Sequence, residues 1–550
     1  MDKVWKQMGY TNKELEEYFT GPAYFPWFRM GNIYKHSGPV PKNFFPKTVE
    51  LQKKIIAKMH ALGINPVAPS FAGFVPPGFK SKFPDASIRK IDVWAKFKAP
   101  YTSQILHPLS PYFQKIGNAF IKEWTKQYGK ASFFLADAFN EMLPPVTGET
   151  EEAKLEELAL YGKTIYESIT TAEPEGTWLM MGWMFLMDKD FWTEDRMEAF
   201  FIRIPNDKMM VLDLFAESQP QFSRTNNFYG KSWMYSVIPN WGGNSQLGGW
   251  LTKYGSIIPE IKQRNDVGKL VAFGYSPEGT ENNEVIYELV SDAMWSEQPI
   301  NYSEWLKGYC AARYGLVSES LEKAWNLLCE SVYNREASHL NRYQGRHDNS
   351  GYIGIRKSPV QNAKVDSALI LFNENYEELH ENELYKNDLI ELEAYVRGAK
   401  ADSILAQFKE RVEQKRFKEA DQIWFEFSNE MKLLDSLFAG HSLFRLERWI
   451  NLARSWGENK EQCDYFEADA KRLISYWGSY LSEYAAKTWR GMVADYYLPR
   501  WEAWYIAQKK EETFDSKAWE RAWVDTPWND WNQKTDILYP ENLQNKNKLK

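Results

Sequence analysis

Two glutamates sit where chemistry would be expected. The apolar run Phe133-Phe134-Leu135-Ala136-Asp137-Ala138-Phe139 ends in Asn140-Glu141. Further on, Leu270-Val271-Ala272-Phe273-Gly274-Tyr275 leads into Ser276-Pro277-Glu278-Gly279. A carboxylate just past the C-terminal end of a buried strand is costly unless solvated, paired or used. Hydrolysis of a glycosidic bond needs two such groups across a sugar ring. One protonates the leaving oxygen; the other attacks the anomeric carbon or activates water. Each glutamate could equally cap a helix or pair with a lysine. Other carboxylates compete: Asp137 inside its strand, Asp213, Glu217, and Glu281 and Glu284 flanking Asn282-Asn283. Glu284 fits the start of a helix, and Asp213 and Glu217 suit a structural network or a pocket wall.

Glu141 and Glu278 lie far apart in the chain, so only a fold such as a barrel brings them together. The sequence predicts one. Strands are expected at Ile64–Phe71, Phe133–Phe139, Trp178–Phe185, Met209–Phe215, Trp233–Ile238 and Leu270–Gly274, all short apolar runs suited to burial on both faces. Helical patterns separate them; Leu51, Ile55, Ile56, Met59 and Leu62 share one face of the first. Alternating strands and helices imply parallel βα units. Polar or special residues follow the strand ends: Ala72-Gly73, Asn140-Glu141, Glu217-Ser218-Gln219, Asn240-Trp241-Gly242-Gly243 and Glu278-Gly279. That is the active-site end of a (β/α) barrel. Six strands are counted rather than eight, and the chain opens on a helix-like segment, Asn12–Phe19.

Past about Glu284 the strand signals vanish. Helical patterns run over Glu304–Tyr314, Ser318–Tyr333, Lys364–His380, Glu383–Val412 and Arg416–Leu437, and resume at Tyr465–Ala507, interrupted by a polar loop at Asn334–Ser358. The expected architecture is α/β plus all-α: a (β/α)8 TIM-type barrel lacking its first two strands over residues 1–285, then an all-helical domain over 286–550. The polar end, Gln544–Lys550, is expected to fray.

Composition narrows the function classes. The chain has 550 residues, 44% of them apolar, enough for large cores. Its net charge of −7 comes from interspersed acids and bases with no basic stripe, which argues against nucleic acid as partner. The 24 Trp, 31 Tyr and 32 Phe suit a large aromatic core and also the stacking of rings on sugar faces. Cys310, Cys329 and Cys463 have neither zinc nor disulfide-framework spacing. His380-Glu381-Asn382-Glu383-Leu384 lacks the second histidine of a zinc protease, and no phosphate loop or G-x-S-x-G is present. No apolar run is long enough to span a membrane, and the N-terminus has no signal-peptide core.

Several longer motifs carry a resemblance. Phe28-Arg29-Met30-Gly31-Asn32, Pro66-Val67-Ala68-Pro69-Ser70-Phe71-Ala72-Gly73 and Phe139-Asn140-Glu141-Met142 resemble the α-N-acetylglucosaminidases of glycoside hydrolase family 89. So do Leu212-Asp213-Leu214-Phe215-Ala216-Glu217-Ser218-Gln219-Pro220, Asn240-Trp241-Gly242-Gly243-Asn244, Pro277-Glu278-Gly279 and Asp495-Tyr496-Tyr497-Leu498-Pro499-Arg500-Trp501. The resemblance implies a retaining exo-hydrolase acting on glycans with terminal α-linked N-acetylglucosamine, with no cofactor and no metal. Glu141 matches the family's acid/base and Glu278 its nucleophile. Asn140, Trp94, Trp183, Leu214, Ile238 and Trp241 match barrel pocket positions. His347, Trp489 and Tyr497 match pocket positions of the helical domain.

The resemblance also implies a small α/β domain and two barrel strands ahead of the region where this chain starts. An open barrel would expose the edges Ile64–Phe71 and Leu270–Gly274. The expectation is therefore a truncated chain, with a non-catalytic sugar-binding remnant as the alternative function. By resemblance such enzymes are secreted or periplasmic in bacteria and lysosomal in animals.

Overall fold

The computed structural model describes residues 1–528 apart from 246, 280, 282, 336–339 and 353–361. Gln544–Lys550, expected to fray, lies outside the described residues, as does much of the polar loop expected at Asn334–Ser358. Two compact units form. One comprises Met1–Ile238 and Arg264–Ser276; the other comprises Pro239–Gln263 and the chain from Pro277 onward.

A six-stranded parallel sheet is the frame of the first unit. Its strands are β1 (Val67–Pro69), β2 (Phe133–Leu135), β3 (Thr177–Met181), β4 (Met209–Asp213), β5 (Ser232–Val237) and β6 (Leu270–Tyr275). Each pairs with its neighbour in sequence, so β1 and β6 are the outer strands. This is the wall of a TIM-type barrel. The side chains explain the strands: Trp178, Val211, Trp233 and Val237 are fully buried, as central parallel strands require. Helices Pro111–Tyr128, Glu151–Thr170 and Glu194–Phe201 lie in the connections between them and pack on one another, burying Phe113, Ile116, Tyr161, Ile165 and Ile169. Thr150 and Thr193 cap the latter two through the backbone N–H of Ala153 and Arg196.

All six strands lie where the sequence predicts them, but four are shorter. The run at Trp178–Phe185 ends as strand at Met181, and Trp183–Met187 is a short helix. Apolar character continues past the strand ends because the following loops are themselves buried; Ala138 and Phe139 have almost no exposure. The helix-like opening is a single short turn of helix, Asn12–Glu16. The connection after β1 also holds an unforeseen antiparallel sheet of Phe74–Val75, Gln104–Leu106 and Ile88–Lys90. One further expectation fails. Of the shared apolar face on helix Phe44–Ala61, only Ile56 is buried; Leu51 and Ile55 are 44% exposed and Leu62 is 61% exposed. Val67 on β1 and Val271 on β6 are exposed too, as suits strands with a neighbour on one side only.

The second unit is helical, with Tyr302–Tyr314, Glu319–Cys329, Glu383–Glu413, Phe417–Leu437 and Lys460–Leu473 as its main elements before the C-terminal pair Leu498–Lys509 and Ser516–Asp525. Phe408, Phe427, Met431, Leu434, Trp501 and Tyr505 fill its core. The expected helix Lys364–His380 divides into Ala363–Asn373 and Tyr376–Leu379.

A larger departure affects the site. Tyr465–Ala507 is not one helical run. Helix stops at Leu473, a π-helical turn forms at Val493–Tyr497, and residues 474–492 between them are irregular. Trp477, Ser479, Glu483 and Gly491 there take left-handed backbone. Among the described residues, no helix is long and apolar enough to cross a membrane.

Candidate active site

Glu141 is fixed from three directions. Asp137, four residues earlier, accepts a hydrogen bond from the Met181 N–H of β3 at 2.8 Å, and burial pushes its carboxyl up to about 7. It anchors the loop leaving β2. Phe139 and Glu141 then adopt left-handed backbone, with φ of 62° and 55°. Residues with side chains enter that region seldom, and where they do the surroundings over-determine them. Finally, two indoles hold the carboxylate: Trp183 Nε1 donates to Oε1 at 2.7 Å and Trp94 Nε1 to Oε2 at 2.5 Å. Trp183 comes from the short helix after β3, and Trp94 from the insertion after β1.

The neighbouring motifs meet here as well. The Asn140 carbonyl accepts from Asn32 Nδ2 at 2.7 Å, and Asn140 Nδ2 donates to Met30 Sδ at 2.7 Å. Asn140 is 9% exposed, and its carboxamide oxygen has no partner among the described residues. Leu214 and Ile238 stand buried just past β4 and β5. The competing carboxylates have structural partners. Asp213 accepts from the backbone N–H of Gln221 and Phe222, and Glu217 from that of Ile238 at 2.9 Å. Glu281 pairs with Arg448, and Glu284 begins helix Glu284–Trp295.

Glu278 belongs to the second unit, where a different set of groups holds it. Its Oε2 accepts from the Gly242 N–H at 2.5 Å and from the Tyr484 hydroxyl. The turn Trp241-Gly242-Gly243-Asn244 is wedged between two backbones. A Cβ on Gly242 would stand 2.1 Å from the Tyr484 carbonyl oxygen, and one on Gly243 2.6 Å from that of Glu278. Only glycine fits either place, and both have positive φ. On the far side Lys487 Nζ donates to the Gly243 carbonyl. Burial draws the Lys487 ammonium down to about 8, against the pull of Glu281.

Trp489 and Tyr497 stand behind Lys487. The Lys487 ammonium lies 5.2 Å from the Trp489 ring centre, and the Tyr497 hydroxyl donates to the Lys487 carbonyl at 3.0 Å. Both aromatics are buried. His347 is placed elsewhere in the unit: it bonds Ser516 Oγ at 3.1 Å and stacks on Trp504. Burial lowers its pKa.

Tyr484 and Lys487 escaped the sequence reading because a helix was expected through them. Gly478 and Gly491, which bracket the segment, were the available signal.

Glu284, Asp388 and Glu391 come close enough to suggest a cation site. Arg313 occupies that role: it donates twice to Asp388, at 2.6 and 2.7 Å, and once to Glu284 at 3.3 Å. Burial pushes the Glu391 carboxyl well up.

Comparison with known proteins decides the family. The alpha-N-acetylglucosaminidase (NAGLU) TIM-barrel domain matches residues 1–297, and the NAGLU C-terminal domain matches residues 305–549. The chain belongs to the alpha-N-acetylglucosaminidase family. The alpha-N-acetylglucosaminidase of Homo sapiens is 31% identical over 517 residues, covering 91% of this chain and 67% of the human protein. A family 89 glycoside hydrolase from Clostridium perfringens, in complex with 2-acetamido-1,2-dideoxynojirmycin, superposes with a TM-score of 0.85 at 24% identity. The same organism's enzyme in complex with its substrate, GlcNAc-α-1,4-galactose, gives 0.84 at 24%. Each alignment covers 98% of this chain, which spans 61% of the Clostridium chain. These solved structures share the fold of both domains.

Proposed function

We propose that this chain is a retaining exo-glycoside hydrolase that removes terminal α-linked N-acetylglucosamine from glycans. The observation that carries the proposal is the Glu141 carboxyl, held at a barrel strand end by two indole N–H groups in a chain of the alpha-N-acetylglucosaminidase family. Glu141 is the acid/base and Glu278 the nucleophile. In the first step Glu141 gives its proton to the glycosidic oxygen as the bond to the anomeric carbon breaks. A carboxylate oxygen of Glu278 bonds to that carbon from the opposite face. In the second step water attacks the same carbon, Glu141 takes its proton, and Glu278 leaves as carboxylate.

The indoles orient Glu141. With one N–H on each oxygen of Glu141, the carboxyl plane is set before substrate arrives, and little reorganisation is left for the transition state. By family resemblance we assign Asn140, whose carboxamide Nδ2 donates to Met30 Sδ, to substrate binding. We assign Trp94, Trp183, Leu214 and Ile238 to apolar surface for the sugar ring and, by family resemblance, Trp241, His347, Trp489 and Tyr497 of the second unit to substrate binding. By family resemblance the site of action is outside the cytoplasm, secreted or periplasmic, where such glycans are met.

The test is hydrolysis of an aryl α-N-acetylglucosaminide, with the first-formed sugar followed by NMR. The α anomer should appear first, and Glu141→Gln and Glu278→Ala should each abolish turnover. Unchanged activity in both variants would sink the assignment, and a β product would replace retention by inversion. A second reading follows from the two outer strands of the six-stranded sheet: a sugar-binding domain without catalysis. Binding of N-acetylglucosamine with no turnover would favour it.

A further inference from the structure

We infer that Tyr484 is a positioning residue for Glu278, orienting its carboxylate through a hydrogen bond to Oε2. The inference rests on the proposed role of Glu278 as nucleophile. Two donors converge on one oxygen, Oε2: the Tyr484 hydroxyl and the Gly242 N–H. Hydrogen bonds that favour the charged form keep a carboxylate ionised, which a nucleophile needs. They also set the carboxylate plane before the glycosyl-enzyme ester forms, and when water displaces the sugar the same two donors meet the charge as it returns to the carboxylate.

Tyr484 is built for a fixed role. Its ring stands edge-on to Tyr352 at 4.9 Å and to Trp477 at 6.5 Å. The segment around it is tied down on both sides. Tyr352 N–H donates to the Ser482 carbonyl at 3.0 Å, and Ser245 N–H donates to that of Ala486 at 3.0 Å. The second of these joins it to the glycine turn that carries the Gly242 donor. Glu483, next in the chain, lies in left-handed backbone and is gripped by Arg500 and the Tyr496 hydroxyl. The phenol therefore reaches Glu278 from a rigid support.

The experiment is Tyr484→Phe, which keeps the ring packing and removes only the hydroxyl. Two readouts are taken beside wild type and Glu278→Ala. In the first, kcat/KM for an aryl α-N-acetylglucosaminide is measured against pH. Tyr484→Phe should lose about 10- to 100-fold in kcat, with KM changed little. Its acidic limb should move to higher pH by about one unit, because a donor to the carboxylate is gone. In the second, the Glu278 carboxyl is titrated by carbon-13 NMR, with Glu278→Ala assigning the signal, and the same upward move is expected. An unchanged limb and an unchanged titration would overturn the inference, whatever happens to thermal stability. If Glu278→Ala keeps full activity, the functional reading fails instead. The NMR titration still decides the contact, since it needs no turnover.

Discussion

Glu520→Gln should unfold the helical domain far more easily than any surface change. Glu520 is fully buried and shares a compact set with Arg346, Arg500 and Glu483, whose side chains are at most 2% exposed. Its Oε1 accepts from Arg346 Nε at 2.9 Å and Arg500 Nη1 at 2.7 Å; its Oε2 accepts from Arg346 Nη2 at 2.5 Å. Two guanidiniums face two carboxyls, so the charges balance when both are ionised; burial pushes the Glu483 carboxyl up to about 7, against the pull of Arg500. A glutamine leaves two buried cations against one anion and turns an amide N–H toward arginine donors. Removing one member of a buried ion pair costs about 3–5 kcal/mol. With a urea slope of about 3 kcal/mol/M, the midpoint should fall by about 1–1.7 M. Tryptophan fluorescence follows the transition. Two controls sharpen it. Glu511→Gln breaks the Lys415 pair, both partners 73% exposed, and should leave the midpoint almost where it is in wild type. The double variant Arg346→Met with Glu520→Met removes a matched pair and should cost less than Glu520→Gln alone, although it deletes more hydrogen bonds. If Glu520→Gln behaves like Glu511→Gln, or the double variant is the worse one, the charge-balance reasoning is wrong. Activity is a linked readout, because Arg346 also bonds Ser482 Oγ and Arg500 bonds Glu483, the two residues that precede Tyr484.

Two further outcomes follow. Trp183→Phe deletes one hydrogen bond to an acidic partner, worth about 1.5–3 kcal/mol, so kcat/KM should fall by about 10- to 150-fold; an unchanged kcat/KM would show that Trp183 does not support Glu141. Asp137→Asn should flatten the pH dependence of barrel stability. The folded carboxyl, at about 7, holds a proton that the unfolded chain releases near pH 4, so wild-type stability falls as pH rises from 4 to 7 by up to about 1.4 kcal/mol per pH unit. Asparagine cannot titrate and keeps an oxygen for the Met181 N–H; parallel urea midpoints for the two proteins at pH 5 and 7.5 would refute the assignment of that slope to Asp137.

What was legible in the sequence, and what was not, divides along physical lines. Central strands buried on both faces are continuous apolar runs, and β1 and β6 keep such runs although Val67 and Val271 are exposed, so all six barrel strands could be read from Val67 to Tyr275. The same rule overshot at Trp183, because a loop buried at the barrel's end is as apolar as the strand it leaves. The anchoring of Glu141 depends on Trp94, which arrives on an insertion whose two- and three-residue strands are too short to leave a period. Family resemblance named Trp94 and Trp183; nothing in their local sequence shows two indole N–H groups meeting one carboxylate.

The helical domain failed differently. Residues 474–492 were expected to be helical, yet adopt a path tied to groups distant in sequence, among them the ion set of Arg346, Glu483, Arg500 and Glu520 and the backbone of Ser245 and Tyr352. Three of those four lie more than a hundred residues from Arg346. An irregular buried segment must satisfy its backbone outside a helix ladder, and here several of those partners, Phe444, Tyr352 and Ser245, are distant in sequence. Hence the group most closely tied to Glu278, Tyr484, was the one that local patterns were least able to reveal. A search for it should begin from Gly478 and Gly491, two breaks within an otherwise helical pattern, and ask what chemistry the stretch between them is free to present.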